Sequence, residues 1–139
     1  EYNVRMGDPE TEVVLPRIKT DFLELLEAAA NKELVDTEIE YERFTAATVV
    51  YVSRGYPEFY EKGHEITIGD TKTVLPFHAG TKMQEGKLIA NGGRVIALTG
   101  LGKNLGEALS KSYAGGNEVS WEGKKFRQDI GFDLKELGQ

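Results

Sequence analysis

The pattern of apolar and polar positions predicts helices in the first third of the chain. In residues 22–31 the apolar side chains recur at the i, i+3, i+4, i+7 spacing of an amphipathic helix. Asp21, followed by Glu24 three residues later, resembles a capping box at the start of that helix. A shorter helix, interrupted near Pro16, is predicted within residues 11–18. The first third is therefore expected to be helical, with a weakly patterned acidic linker after it.

From residue 46 onward the pattern changes to short runs rich in β-branched residues, which are typical of strands. The predicted strands cover residues 48–52, 66–68, 73–78, 87–90 and 94–99. Asn91 and Gly92 lie between the last two runs and predict a type I′ hairpin, because both residue types tolerate positive φ. The adjacent Gly93 indicates either a bulge or a backbone that something approaches closely.

A second amphipathic helix is predicted in the strand-rich part. Asn104 is a suitable N-cap, Glu107 stands three residues later, and the pair Gly115 and Gly116 is expected to end the helix. The tail after this helix predicts one short strand. The second part is therefore expected to be β-rich with one helix.

Composition limits the size of the protein and the partners it could bind. A chain of 139 residues corresponds to one domain, or to one small domain plus part of another. Its net charge of −6 argues against a surface built to bind nucleic acid or anionic lipid, although a local basic pocket for one small anion remains possible. The absence of Cys excludes disulfides and thiolate zinc sites, and no apolar run reaches the length of a membrane span or signal peptide. We therefore expect a cytoplasmic protein.

The first five residues already alternate polar and apolar side chains, as a half-buried strand does. Because the sequence starts at Glu1 within this pattern, we expect it to be a piece of a longer protein. Period-2 geometry places Glu1, Asn3 and Arg5 on one face of the strand. Carboxylate and amide oxygens suit Mg²⁺, and a guanidinium suits a phosphoryl group, but a solvated strand face with an ordinary ion pair has the same pattern.

The chain resembles one enzyme family over its whole length. Residues 1–17 are similar to the last conserved stretch of the ATP-grasp domain in phosphoribosylamine-glycine ligases, also called glycinamide ribonucleotide synthetases. The remaining similarity to that family's C-terminal domain is carried by five ordered motifs, at residues 55–57, 60–63, 77–82, 91–95 and 127–131. Two departures near the start are Met6, where the family usually has Phe, and Glu12, where it usually has Gln.

The resemblance implies an ATP-dependent step of purine biosynthesis. ATP would phosphorylate the carboxylate of glycine, and the amine of 5-phosphoribosylamine would attack the resulting acyl phosphate. By this resemblance Glu1 and Asn3 correspond to the family's ligands for Mg²⁺ or Mn²⁺, and Arg5 corresponds to a catalytic guanidinium beside the transferred phosphoryl group. Asp8 and Glu10 would lie at the mouth of the site, near the glycine ammonium or the ribosylamine. The alternative role for both is negative charge at a helix N-terminus.

Further substrate contacts are predicted in the C-terminal part. Gly92, Gly93 and Arg94 offer backbone N–H groups and one cation, so we expect them to bind the phosphoribosyl group; the alternative is a plain hairpin with a surface Arg. His78 and Thr81 are predicted to contact substrate or to dock a domain. General-base catalysis is the less favoured role for His78, because the reacting amine is already a nucleophile.

The aromatic cluster at residues 56–60 has two interpretations. It could stack on a base, but in an acidic chain without a basic stripe we favour packing within the loop. In the tail, Arg127 and Asp129 are expected to form an ion pair, and Trp121 is expected in the core or an interface.

Together these observations predict an α+β chain. Residues 1–45 would form the C-terminal end of an ATP-grasp domain and a linker, and residues 46–139 a compact antiparallel β-rich domain with one helix. The adenine pocket would lie upstream, so the isolated chain is expected to be inactive, and its partners would be small substrates and the upstream portions of the same enzyme. Two alternatives remain: another ATP-grasp carboxylate-amine ligase, and a non-catalytic binding or assembly module.

Overall fold

The computed structural model of the chain describes residues 5–136, with side chains described through residue 134. Its helices are α1 (Thr11–Val14), α2 (Phe22–Asn31), α3 (Leu105–Asn117) and α4 (Phe132–Glu136), with 3₁₀ turns at Leu15–Arg17 and Leu34–Asp36. Its strands are β1 (Thr45–Val52), β2 (His64–Glu65), β3 (Thr67–Ile68), β4 (Val74–His78), β5 (Thr81–Gln84), β6 (Lys87–Ala90), β7 (Arg94–Gly102) and β8 (Val119–Ser120). The mixed α and antiparallel β architecture agrees with the predicted class.

A three-stranded antiparallel sheet in the order β1-β7-β4, which we call the main sheet, forms the centre of the fold. Two smaller sheets, β2-β6-β5 and β3-β8, are also antiparallel. Side chains alternate across β1, so that Val49 and Tyr51 are buried on the face that carries α3. The opposite face of β1 carries Thr48 and Val50, which are only half-buried. The core therefore lies between the sheet and α3, and the other face is available to build a site.

The prediction that α3 ends at its glycine pair is wrong. The N-cap is as predicted, with Asn104 Oδ1 accepting a hydrogen bond from the Glu107 N–H at 2.9 Å, but the helix runs on to Asn117. A Cβ on Gly115 would lie 2.7 Å from a methyl group of Val74, and one on Gly116 would overlap the ring of Tyr51. The two glycines let the helix approach the sheet closely, and this requirement outweighs their low helix propensity.

The predicted hairpin at Asn91 and Gly92 is also wrong. Strands β6 and β7 flank these residues but belong to different sheets, and neither Gly92 nor Gly93 has positive φ. The two-residue turn of this region is Glu85-Gly86, where φ is 50° and 79°, and it joins β6 to β5, a strand that the sequence pattern did not predict. Local turn chemistry could not reveal that the chain changes sheets at Asn91.

The first third follows its pattern closely. Helix α2 covers the predicted residues, and Asp21 Oδ1 accepts a hydrogen bond from the Leu23 N–H at 2.8 Å. The cap is thus present, although the bonded N–H is that of Leu23 and not that of Glu24. Helix α1 gives way to a 3₁₀ turn that contains Pro16, as predicted. Within the described residues, no helix has the length and apolar character needed to cross a membrane.

Candidate functional site

A cavity of about 490 Å³ opens on the sheet face that α3 leaves uncovered. We call it the polar chamber, because charged side chains from distant parts of the sequence meet in it. Its lining residues are Asp8, Glu12, Val50, Tyr56, Tyr60, Ala79, Gly80, Gly93, Arg94 and Ala97. The chamber therefore joins the segment before α1 to the β-rich part of the chain.

Asp8 and Arg94 form the ion pair at the centre of this chamber. Arg94 Nη2 lies 2.7 Å from Asp8 Oδ2, and both side chains are about half exposed. Arg94 begins β7, where the pairing with β1 slips: Tyr51 is opposite Ile96, but Val52 is opposite Arg94. Val95 is thus an extra residue on β7, and such a bulge changes the direction in which neighbouring side chains point. Two predicted substrate residues, Asp8 and Arg94, are in this way brought together.

Glu12 is a site residue to which the sequence reasoning assigned no role. Its Oε2 atom is buried, and no described residue donates a hydrogen bond to it. Its backbone oxygen accepts a hydrogen bond from Thr99 Oγ1 at 3.0 Å, which holds α1 against β7. A buried carboxylate oxygen without a partner is costly, and such atoms often mark the place of a ligand or ion. The sequence pattern offered no signal for this role, because Asp8 lies in the turn before α1 and only the fold brings it close to Glu12.

The remaining predicted residues of the N-terminal segment lie elsewhere or outside the described range. The Glu10 side chain lies against Gly7 and does not line the polar chamber, although Glu10 does occupy the N-cap position of α1. Arg5 is exposed, and its Nη1 donates a hydrogen bond to the Met6 backbone oxygen at 2.9 Å. Glu1 and Asn3, the predicted metal ligands, fall outside the described residues.

The predicted residues on the sheet side differ in position. Gly93 lines the polar chamber, and the ring of Tyr56 covers it so closely that a Cβ there would lie 2.9 Å from Cε2 of the ring. Gly92 does not line the chamber; its backbone oxygen accepts a hydrogen bond from Ser53 Oγ at 2.9 Å. The close approach predicted at Gly93 is therefore confirmed. Gly92 is not in a hairpin turn; its hydrogen bond ties the loop before β7 to the residue that follows β1.

His78 and Thr81 flank the chamber without lining it. The His78 Nδ1 and Thr81 Oγ1 atoms are 3.1 Å apart, and between them Ala79 and Gly80 contribute to the chamber wall. A Cβ on Gly80 would lie 2.6 Å from the Gly92 Cα, so this turn packs directly on the loop between β6 and β7. The pair is exposed at the edge of the chamber, where it could reach a bound molecule.

The aromatic loop contributes two of its three rings to the chamber. Tyr56 and Tyr60 have ring centroids 6.2 Å apart at a tilt of 58°, and both line the cavity. The Phe59 side chain, in contrast, is 99% exposed. Tyr56 and Tyr60 therefore pack against each other within the loop, as predicted, and also form a wall of the polar chamber. Phe59 does not pack within the loop.

A second cavity, of about 570 Å³, adjoins the polar chamber. We call it the apolar chamber, because its wall is mostly hydrocarbon. It is lined by Pro9, Thr48, Val49, Val50, Val52, Tyr56, Pro57, Arg94, Lys125, Phe126, Arg127 and Ile130. Val50, Tyr56 and Arg94 belong to both walls, so the two chambers adjoin each other.

The charges divide between the two chambers. The polar chamber carries two carboxylates and one guanidinium, whereas every ionisable Asp, Glu, Lys or Arg side chain of the apolar chamber is a cation. Arg127 forms the predicted ion pair with Asp129, at 2.7 and 2.9 Å, and this hydrogen-bonded guanidinium lowers the pKa of the Asp129 carboxyl. Among residues 5–136, no group of three or more His, Asp or Glu side chains could hold a metal ion.

Fold and site together define a small α+β domain with a charged cleft of two adjoining chambers. Comparison with known proteins identifies the family, because residues 46–133 match the family described as phosphoribosylglycinamide synthetase, C domain. The chain belongs to this family.

Individual relatives extend the similarity over nearly the whole chain. The chain is 47% identical over 134 residues to the phosphoribosylamine–glycine ligase of Rhizobium meliloti, covering 95% of this chain and 32% of that protein. It is 46% identical to a bifunctional purine biosynthetic protein of Pichia angusta, covering 94% of this chain and 17% of that protein. The crystal structure of the phosphoribosylamine–glycine ligase of Thermotoga maritima matches with a TM-score of 0.74 at 41% identity, over 93% of this chain and 32% of that one. The chain thus spans about a third or less of the length of these relatives.

Proposed function

We propose that the chain is the C-terminal part of an ATP-dependent ligase that joins glycine to 5-phosphoribosylamine. The products would be glycinamide ribonucleotide, ADP and phosphate, formed by way of a glycyl phosphate. The family match at residues 46–133 is the observation that carries the proposal, together with relatives named for this ligase at 41–47% identity. The ion pair between Asp8 and Arg94 adds support, because it joins the two predicted parts of the chain at one cavity.

The reaction requires an activated carboxylate, because a free carboxylate is a poor electrophile. Arg5 is the proposed catalytic cation beside the transferred phosphoryl group; its side chain is exposed, and among the described residues it donates one hydrogen bond, to a backbone oxygen. Glu1 and Asn3 remain the proposed ligands for Mg²⁺ or Mn²⁺, whose charge would offset that of the phosphates of ATP. The adenine pocket is proposed to lie in the upstream part of the full-length enzyme.

The polar chamber is the proposed site for the amine-bearing substrate. An amine or ammonium donates hydrogen bonds, and the chamber offers it the carboxylates of Asp8 and Glu12. The Glu12 Oε2 atom is buried, and no described residue donates a hydrogen bond to it. Arg94 and the backbone at Gly93 are proposed to contact the phosphoribosyl group, with His78 and Thr81 at the rim. Holding the amine between fixed acceptors would orient it toward the acyl carbon, which lowers the entropic cost of the attack.

The test is a chimera in which this chain replaces the corresponding C-terminal third of the Thermotoga maritima ligase. We expect ADP release that depends on both glycine and freshly prepared 5-phosphoribosylamine. Arg94→Met should raise KM for the ribosylamine by about tenfold, since a charge-assisted hydrogen bond to an anion is lost. Lys103→Met, at an exposed Lys outside both chambers, is the matched control and should leave both KM values unchanged.

Three outcomes distinguish the alternatives. ADP release driven by another carboxylate or amine would favour a different ATP-grasp ligase. A folded chimera with no substrate-dependent ADP release would favour a non-catalytic module. The isolated chain, incubated with Mg²⁺, ATP and both substrates, should release no glycine-dependent ADP, and release above background would contradict that expectation.

A further inference from the structure

The apolar chamber has the dimensions and lining of a small-molecule site to which the proposed reaction assigns nothing. Its volume of about 570 Å³ lies within the range of ligand pockets, roughly 300–1,000 Å³. Thr48, Val50 and Val52 of β1 line it, together with Pro57 and Phe126. A pocket of this kind favours a flat apolar or aromatic group, because binding removes hydrocarbon surface from water on both sides.

The charges of the chamber select an anion. Arg94, Lys125 and Arg127 line it in a chain whose net charge is −6, so the local sign is opposite to the overall one. Arg94 and Arg127 are paired with Asp8 and Asp129, whereas Lys125 forms no ion pair with any described residue. The position of Lys125 is fixed by its backbone, which exchanges two hydrogen bonds with Val52, at 2.8 and 2.9 Å. An anion at the rim would thus meet an exposed ammonium group that extends from a fixed backbone.

Continuity with the polar chamber narrows the choice of ligand. Arg94, Tyr56 and Val50 are shared by both chambers, so a molecule that contacts Arg94 through a sugar phosphate can place a ring against β1. We infer that the apolar chamber binds a nucleoside monophosphate, with its base in the chamber and its phosphate near Lys125 and Arg94. The choice of a sugar phosphate at Arg94 rests on the proposed function. A nucleotide bound in this way would compete with the ribosylamine.

The direct test measures binding of AMP to the 139-residue chain by isothermal titration calorimetry, beside adenosine, ribose 5-phosphate and inorganic phosphate. We expect AMP to bind about tenfold or more tightly than each of the other three, because base and phosphate must both be present. Lys125→Met keeps most of the aliphatic stem and removes the charge, so AMP binding should weaken about tenfold. Lys103→Met is the matched control and should bind AMP as the parent chain does.

A second variant tests the chamber itself. Val52→Phe fills part of the chamber and should weaken AMP binding without weakening that of inorganic phosphate; far-UV circular dichroism checks that the variant folds. Equal affinity for AMP and phosphate would overturn the inference, as would AMP binding that neither Lys125→Met nor Val52→Phe changes. AMP binding to the chain that is lost in the chimera would also overturn it, because upstream polypeptide would then cover the chamber.

This test is separate from that of the proposed function. The chimera could be an active ligase while neither it nor the isolated chain binds AMP. This outcome would support the proposed function and contradict the inference about the apolar chamber. A chimera that binds AMP but has no ligase activity would contradict the proposed function and support the apolar chamber as a nucleotide site. In an active chimera, AMP should raise KM for the ribosylamine and leave kcat unchanged, and an unchanged KM at saturating AMP would also contradict the inference.

Discussion

Residues 5–44 and residues 45–134 differ in how much of their apolar surface is buried. Leu25 is the one buried residue among residues 5–44, while Leu23, Leu26 and Val35 are 63%, 53% and 89% exposed. In residues 45–134 a continuous core surrounds side chains such as Leu98, which has no exposed surface. The amphipathic spacing correctly predicted a helix in both regions. The spacing does not indicate whether the apolar face of the helix is covered by other residues. We therefore expect most of the free energy of unfolding to come from residues 45–134.

The largest expected change in the free energy of unfolding comes from truncating a leucine in the core, compared with truncating an exposed leucine on α2. Leu98→Ala leaves a cavity between the main sheet and α3 and should lower the free energy of unfolding by about 3 kcal/mol. Leu26→Ala removes an exposed side chain and should change it by less than about 0.5 kcal/mol. Urea denaturation followed by far-UV circular dichroism measures both variants. Equal losses would show that α2 is packed as firmly as the core.

The next effect concerns the two kinds of glycine in α3. Gly116→Ala would push a methyl group into the ring of Tyr51 and should cost about 1–3 kcal/mol, in spite of the better helix propensity of Ala. Gly106→Ala is the matched control in the same helix, where the nearest atom to a Cβ is Asn104 Oδ1 at 3.4 Å. It should stabilise the chain by about 0.5–1 kcal/mol. Shifts of the same sign in thermal unfolding would contradict the close approach of helix and sheet.

These glycines show how far the sequence could predict the fold. Caps, helix periods and most strands depend on neighbours within a few residues, and the cap of α3 at Asn104 was found from them. Gly116 has the local appearance of a helix end, but its role depends on Tyr51, which is 65 positions earlier in the chain. At Asn91 the chain passes from one sheet to another. This depends on the order of the strands, which the turn residues do not indicate.

Candidate site residues were predictable where they belong to a sequence motif, and they were not predictable where only the fold brings them together. Asp8 and Arg94 were each identified as site residues, but only the fold shows that they bind each other. Glu12 and Lys125 were assigned no role from the sequence, and their importance comes from the cavities they line. Nothing in a one-dimensional pattern could indicate that Val50 of β1 lines two adjoining chambers.

The free energy of unfolding of residues 45–134 should depend on pH through Tyr51. Burial, with a smaller contribution from nearby Tyr113, raises the pKa of Tyr51 to about 12, above the unfolded value near 10. The folded state therefore holds this proton more firmly, and the resulting stability is present below pH 10 and lost as the pH rises toward 12. Lys124, whose pKa is lowered by burial, lies over the same ring and acts in the opposite sense. Tyr51→Phe, compared with the parent chain in urea at pH 9 to 12, should show a shallower loss; equal slopes would exclude Tyr51 as the cause.

The smallest effect should appear at the junction of the two regions. Thr99 Oγ1 donates a hydrogen bond to the backbone oxygen of Glu12 and so ties α1 to β7. Thr99→Val keeps the shape of the side chain and removes the donor, which should cost about 1 kcal/mol. Hydrogen exchange should then accelerate in residues 9–17 and not in the buried strands. Thr48→Val is the control, because Thr48 lies opposite Thr99 on the same face and its own bond, to Leu98 O, is long at 3.5 Å. If both variants speed exchange equally in the core, the hydrogen bond from Thr99 is not what holds the first region to the second.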